Sequence, residues 1–252
     1  SKFVLLLHHA GYNITIVTPR DFDYEISWFP QNVNINIFNL PKNNKSLIDN
    51  ITKVRALRTY LTGFNSTFRK KIDAWKIQIT RIINCEGFDF IYVLGSGSEF
   101  APHFAISEVE TNIPVVLNFH DPFPMHLYPE PYKVRRDRIN KLLEKRIGNA
   151  IDMAHRISFP SKYLMDLMAE TFPLIQVKGF VLPHIGAELM NLPDGEEDDR
   201  IRLDSDKINI LHAGSLLGPR NPAYFLQSII DLHNNRADLL NNVRFVFIGK
   251  LA

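Results

Sequence analysis

Apolar residues recur along this chain with two different periods, and segments with one period alternate with segments that have the other. Short segments rich in Val, Ile and Phe predict β-strands, and longer segments with an apolar face repeating every three to four residues predict helices. The predicted strands are residues 13–18, 32–39, 88–94, 113–119, 156–159, 177–182, 207–213 and 243–248. The predicted helices are residues 1–9, 46–60, 68–84, a helix reaching Val109, 133–155, one beginning at Lys162, and 223–233.

The alternation of strands and helices is typical of an α/β fold. We therefore predict a Rossmann-type parallel sheet flanked by helices in residues 1–190, with a first strand missing before Ser1 because the chain begins on a helix. An acidic, turn-rich segment predicts a linker at 191–206. Residues 207–252 hold one strand–helix–strand unit, the incomplete start of a second Rossmann-like domain that cannot enclose a core alone.

The helical periodicity also predicts which residues face inward. In the helix at 68–84 these are Ile72, Trp75, Ile79, Ile82 and Ile83. In the helix at 133–155 they are Val134, Ile139, Leu142, Leu143 and Ile147, and in the helix at 223–233 they are Phe225, Leu226, Ile229 and Ile230.

Residues 113–132 hold the densest candidate chemistry. The predicted strand at 113–119 ends in His120-Asp121-Pro122, and a proline-rich loop with His126, Tyr128 and Tyr132 follows. Open α/β sheets present functional groups at the carboxyl ends of their strands, and proline holds a loop at low entropic cost. The pattern therefore indicates a functional loop, and a rigid connector is the alternative interpretation.

A second loop, Gly95-Ser96-Gly97-Ser98, lies between a predicted strand and a predicted helix. Its glycine spacing is not the dinucleotide-binding fingerprint. A tight turn that opens a helix explains the glycines. Serine and glycine at a helix N-terminus are also able to bind a sugar hydroxyl or a phosphate.

Composition narrows the class of protein. The 252 residues carry a net charge of only +2, so bulk charge gives no indication of nucleic-acid binding. The single cysteine, Cys85, excludes an internal disulfide and has no metal-ligand spacing around it, which fits a cytoplasmic protein. No apolar run reaches the length of a membrane span.

The cations from Lys133 to Arg146 form either a solvated face or an anion-binding surface for a membrane or a diphosphate-linked acceptor.

Three motifs, taken together and in order, carry a family resemblance. They are His120-Asp121-Pro122, Ser161-Lys162 and the loop from Gly214 to Arg220. With them the chain resembles retaining glycosyltransferases of the GT-B fold, in particular the large family four of bacterial mannosyl- and glucosaminyl-transferases. The resemblance covers nearly the whole chain, to Gly249.

The resemblance implies an enzyme of polysaccharide biosynthesis that moves a sugar from a nucleotide-sugar to a glycan or lipid-linked acceptor with retention. It implies that the first domain binds the acceptor and the second binds the donor. By the same resemblance His120 contacts the transferred sugar with Asp121 beside it, and Gly214 approaches the donor diphosphate. Ser215 stands where the family has an arginine, and Arg220 stands at the place of its lysine.

The remaining expectations follow from that resemblance. Ser96, Ser98 and Tyr128 are the acceptor-side candidates. No metal and no bound cofactor are expected, since the nucleotide-sugar is a co-substrate and cations can offset the diphosphate charge. The expected setting is cytoplasmic, with peripheral contact to the inner face of the membrane through Lys133 to Arg146. Because both ends look incomplete, we expect no turnover by this chain alone.

Three other functions fit parts of the same pattern. A sugar-nucleotide epimerase shares the two-domain GT-B architecture and needs no acceptor. A non-catalytic relative would bind a glycan or a nucleotide without turnover. A plain Rossmann-like nucleotide binder is the third, although the missing glycine fingerprint argues against a dinucleotide.

Overall fold

The computed structural model describes residues 2–19, 30, 32–41, 52–95, 100–130, 132–184, 203–214 and 221–249. The chain forms two compact units, Ser1–Ala187 and Glu188–Ala252. The predicted linker at 191–206 lies mostly outside the described residues, as does the first part of the helix predicted at 46–60. The predicted domain boundaries therefore stay a prediction.

Helices and parallel strands alternate through the first unit. Its elements are α1 Lys2–His9, β1 Thr15–Pro19, β2 Asn34–Phe38, α2 Thr52–Thr62, α3 Ser66–Cys85, β3 Ile91–Leu94, α4 Ala101–Ile106, β4 Val115–Asn118, α5 Arg138–Met153, β5 Arg156–Phe159, α6 Lys162–Ala169, α7 Ile175–Lys178 and β6 Gly179–Val181. Strands β1 and β2 form a parallel pair, and β3-β4-β5-β6 form a parallel sheet in that order. The predicted α/β class with parallel sheets flanked by helices is confirmed.

Strand β4 lies inside the four-stranded sheet, between β3 and β5. Val115 and Leu117 are fully buried, as is Phe119 directly after the strand. A strand whose sheet is covered by helices on both faces is apolar along most of its length. This explains why the apolar pattern at 113–119 predicts the strand. Its carboxyl end delivers His120 to one edge of the sheet.

Helix α3 buries the face that its periodicity predicts. Ile72, Ile79 and Ile82 are buried, and Trp75 and Ile83 pack against the same core. The side chain of Asn65 caps the helix by accepting a hydrogen bond from the Phe68 amide at 2.8 Å. The helix prediction at 68–84 is thereby confirmed, two residues short at its start and one at its end.

Helix α5 begins five residues later than predicted, so the helix predicted from Lys133 was wrong at its start. The Asp137 carboxylate accepts hydrogen bonds from the amide of Asn140 at 2.8 Å and from its side-chain Nδ2 at 3.1 Å. This N-cap fixes a non-helical backbone at Asp137. Val134 therefore lies before the helix and is 37% exposed, not inward.

The second unit consists of β7 Ile208–Ala213, α8 Ala223–Arg236 and β8 Val243–Ile248, with the two strands paired in parallel. The helix face predicted to point inward is not buried. Phe225, Leu226 and Ile230 are each more than 40% exposed, and no residue of α8 is buried. Two strands cover too little of a helix to bury it, although the Phe225 ring still contacts that of Phe245 edge-on at 5.6 Å.

No helix among the described residues combines the length and the apolar character that a membrane crossing needs.

Candidate functional site

The candidate site in the first unit lies at the carboxyl edge of the four-stranded sheet. His120 follows β4 by two residues and is half-buried. The amide of Phe119, next to it, donates to the Ser158 carbonyl of β5 at 3.0 Å. The pairing with β5 therefore fixes the backbone up to the residue before His120.

His184 brings a second imidazole to this edge. It follows β6, two strands away from β4, and its ring is stacked on that of His120 with centroids 5.5 Å apart and planes 16° apart. Burial lowers the pKa of His120, and the charge of His184 lowers it further, while Asp121 acts in the opposite direction. At neutral pH the His120 imidazole is therefore uncharged and offers one hydrogen-bond donor and one acceptor.

Asp121 and Tyr128 lie close enough to act on the same site. Burial raises the pKa of the Tyr128 hydroxyl, and the Asp121 carboxylate raises it further. The described contacts contain no hydrogen bond between Asp121 and His120, so Asp121 influences the imidazole through its charge. The structure thus brings together His120, Asp121 and Tyr128 of the predicted site residues.

His103 of α4 lies behind His120. It is fully buried, and its Nε2 lies 2.9 Å from the Asn118 carbonyl oxygen. Burial lowers the pKa of His103 to about 3, against the raising effect of that hydrogen bond, and His120 contributes a further lowering. His103 is therefore neutral, and as a donor to the Asn118 carbonyl it holds the end of β4 in place.

The loop after His120 is anchored on both sides. Phe123 is buried, and its amide donates to the sulfur of Met168 at 3.4 Å. His126 is 5% exposed, and its Nε2 lies 3.1 Å from a carboxylate oxygen of Glu144 on α5. The proline-rich segment is therefore held to α6 by one contact and to α5 by another.

Gly95 shows why a glycine follows β3. A Cβ atom there would lie 2.9 Å from a Phe100 ring carbon and 3.1 Å from the His103 ring. The glycine therefore serves close packing beneath the site. Ser96 and Ser98 lie outside the described residues.

Of the donor-side candidates, Gly214 alone lies within the described residues; Ser215 and Arg220 lie outside them. Gly214 belongs to the second unit, directly after β7. Its φ of +151° lies in the range that favours glycine, and its amide donates to the Ile248 carbonyl at 2.7 Å. The described part of the chain contains no group of three or more His, Cys, Asp and Glu side chains arranged for a metal ion.

The basic segment from Lys133 to Arg146 divides into two kinds of cation. Arg136 pairs with Glu144 at 2.7 Å, and Arg138 and Arg146 lie over the rings of Tyr60 and Phe64 at 4.5 and 4.6 Å. These arginines bind the protein itself. Lys133, Arg135, Lys141 and Lys145 are exposed and have no acidic partner among the described residues.

Sequence reasoning did not identify His184 or His103 as site residues. A signal for His184 exists, because Pro183-His184 follows a strand end as His120 does. His103 lies inside a helix and carries no comparable signal. Its place becomes evident only when β3 and β4 are paired.

Comparison with known proteins bears on the first unit. No curated protein matches the chain. The model of one protein family, described as Glycosyltransferase Family 4, matches residues 3–184, well over half of the 252 residues. This match confirms the family resemblance for residues 3–184, which contain the four-stranded sheet and the His120 motif; the loop from Gly214 to Arg220 lies beyond the matched residues. The chain belongs to Glycosyltransferase Family 4.

Proposed function

We propose that the protein transfers a sugar from a nucleoside-diphosphate sugar to a hydroxyl group of a glycan or lipid-linked acceptor, with retention at the anomeric carbon. Family membership supports the transferase class. Donor, acceptor and stereochemistry are parts of the proposal. We further propose that residues 1–190 bind the acceptor and that 207–252 begin the donor domain, joined by a linker at 191–206.

The stacked pair of His120 and His184 carries the proposal. Two imidazoles meet at the carboxyl edge of a parallel sheet, where this fold class presents its ligands. A neutral His120 can donate to one sugar oxygen and accept from another, which orients a sugar without adding charge. Asp121 lies on the same loop and tunes the imidazole through its charge.

The donor side of the proposal rests on the loop after β7. Backbone amides near Gly214 and the guanidinium of Arg220 stabilise the leaving diphosphate as its charge develops. Ser215 adds a neutral hydroxyl. The nucleotide-sugar acts as co-substrate, and the proposal assigns neither a metal nor a resident cofactor.

The acceptor side of the proposal uses Ser96, Ser98 and Tyr128. Tyr128 lies near Asp121 in the loop that follows His120. For a lipid-linked acceptor the exposed cations between Lys133 and Arg146 provide peripheral contact with the inner face of the membrane, in a cytoplasmic setting. Nucleic acid has no part in this proposal.

The test titrates the protein with a panel of nucleotide-sugars and identifies the transfer product by mass spectrometry and NMR. His120→Ala is expected to lower turnover about 100-fold, because a misplaced sugar loses its reactive geometry. His233→Ala, an exposed histidine of α8, serves as the matched control and should leave turnover unchanged.

The same assay separates the competing functions. An altered sugar and free nucleotide without acceptor would identify an epimerase, and donor binding without any product would identify a non-catalytic relative. An inverted anomeric configuration would overturn retention alone. Full turnover by a folded His120→Ala protein would remove the role proposed for His120.

A further inference from the structure

A cationic cavity lies beside the first turn of α5. It belongs to a part of the first unit to which none of the three sequence motifs assigns a role. Its volume is about 650 Å³, within the range of small-molecule sites, and it opens to solvent because all its lining residues are exposed. The end of α2, the segment before α5 and the start of α5 form its walls. Its lining residues are Tyr60, Arg135, Arg136, Asp137, Arg138 and Lys141.

The charge of this cavity is concentrated locally. Four of its six lining residues are cations and one is an acid, whereas the whole 252-residue chain carries a net charge of +2. Clustered like charges repel one another, so such a cluster favours binding of a compensating anion.

Two of the arginines are held in fixed orientations. Arg138 lies 4.5 Å over the Tyr60 ring, and its Nε donates to the Tyr60 carbonyl at 3.2 Å. Arg136 binds Glu144 through Nε at 3.0 Å and a terminal nitrogen at 2.7 Å. The contacts described for Arg138 leave its two terminal nitrogens available, which is the planar fork that matches phosphate oxygens.

The other two cations, Arg135 and Lys141, have no ion-pair partner among the residues that the structure describes. The Asp137 carboxylate is engaged with Asn140 as the cap of α5. The N-terminal end of this 16-residue helix adds positive potential at the same place.

The cavity is also connected to the candidate site. Glu144, which binds Arg136, lies 3.1 Å from Nε2 of the buried His126. His126 belongs to the loop that follows His120. Glu144 therefore binds both Arg136 of the cavity and the loop that follows His120.

We propose that this cavity is a binding site for a phosphate ester, with Arg135, Arg138 and Lys141 as its ligands. Either a membrane lipid headgroup or a soluble phosphorylated molecule presents this chemistry. The identification of that ester with the acceptor rests on the proposed function, whereas phosphate binding by the cavity does not.

The first arm of the test measures binding of sn-glycerol 3-phosphate and inorganic pyrophosphate to the 252-residue chain by calorimetry at low salt. In Arg135→Ala/Lys141→Ala both free cations are lost, while the Arg138–Tyr60 and Arg136–Glu144 contacts remain. Its affinity is expected to fall about tenfold or more, because charge-assisted hydrogen bonds to phosphate are lost. Arg81→Ala removes an exposed cation of α3 outside the cavity and should have no effect.

The second arm identifies the source of the phosphate. Vesicles of phosphatidylcholine with and without phosphatidylglycerol are mixed with the same three proteins. Binding to the phosphatidylglycerol vesicles that pyrophosphate displaces and the double variant lacks would assign a lipid headgroup. Binding of the soluble probes without vesicle binding would assign a soluble ester.

Two results would overturn the inference. One is that neither of the two probes nor the vesicles show saturable binding. The other is an equal loss of affinity in Arg81→Ala and in the double variant, which would mean diffuse attraction to the protein's cations in general. Because the assay contains no nucleotide-sugar, its result is independent of whether the protein transfers sugar.

Discussion

The protonation of His120 is set by burial and by two neighbouring charges, and these effects act in opposite directions. Burial lowers the pKa of its imidazole most, the charge of His184 lowers it further, and Asp121 raises it. His103 also lies within electrostatic reach and is itself held neutral by burial. For the sugar-orienting role proposed for His120, the neutral imidazole supplies one donor and one acceptor, and the lowered pKa favours this form.

Two substitutions are expected to move the pKa of His120 in opposite directions. His184→Phe keeps a ring at the place of the stacked imidazole but removes its lowering effect, so the pKa of His120 should rise. Asp121→Asn removes the charge that favours the imidazolium, so the pKa should fall. NMR titration of the imidazole Cε1 proton in the 252-residue chain measures both.

The result has a clear contrary form. An unchanged pKa in both variants would mean that burial alone sets the pKa of His120, and a shift in the same direction in both would contradict the opposite effects of His184 and Asp121. In the His184→Phe variant His120 would become protonated at a higher pH. As the pH is lowered, any activity that needs the neutral ring would therefore begin to fall at a higher pH. In the Asp121→Asn variant the fall would begin at a lower pH.

At this scale the sequence predicted what lies close along the chain. His120, Asp121 and Tyr128 share one loop, and their proximity follows from that. His184 lies 64 residues further on and reaches His120 only through the order β4-β5-β6. Apolar periodicity gives the strands but not their order in the sheet, so it could not pair the two histidines.

At the scale of elements, the start of α5 shows how a cap overrides periodicity. Apolar and basic residues continue the helical pattern back to Lys133. The hydrogen bonds from Asn140 to Asp137 end the helix there instead, and the segment before it becomes a wall of the cationic cavity. Strands β5 and β8 have the bounds that the pattern predicts.

Substitution of Asp137 distinguishes the two helix starts by sign. With Asp137 as the N-cap, Asp137→Ala should lower the free energy of unfolding by about 1 kcal/mol, and Asp137→Ser should cost much less because serine also caps. If the helix began at Lys133, Asp137 would be an interior residue. Alanine there would instead stabilise the protein by about 0.5 kcal/mol. Urea unfolding followed by circular dichroism measures the difference.

At the scale of the whole molecule, burial is unevenly distributed between the two units. The first unit contains all the residues of the hydrophobic core, centred on β3 to β6 and the helices against them. None of the described residues of the second unit is buried, and Tyr224 and Ile230 are 91% and 51% exposed. The sequence predicted this imbalance, because one strand–helix–strand unit has too few surfaces to enclose a core.

Hydrogen exchange in the 252-residue chain should reveal this imbalance. Amides of β4 and β5 open only when the buried core opens, so their exchange should be slow. Amides of β7, β8 and α8 are hydrogen-bonded but lack buried side chains, so their protection should be lower by about a hundredfold or more. Mass spectrometry of peptic peptides from both units, taken from one exchange experiment, gives the ratio under identical conditions. Equal protection of β4 and β7 would mean that the second unit gains stability from contacts other than its own described side chains. The prediction that the second unit is less protected from exchange would then be wrong.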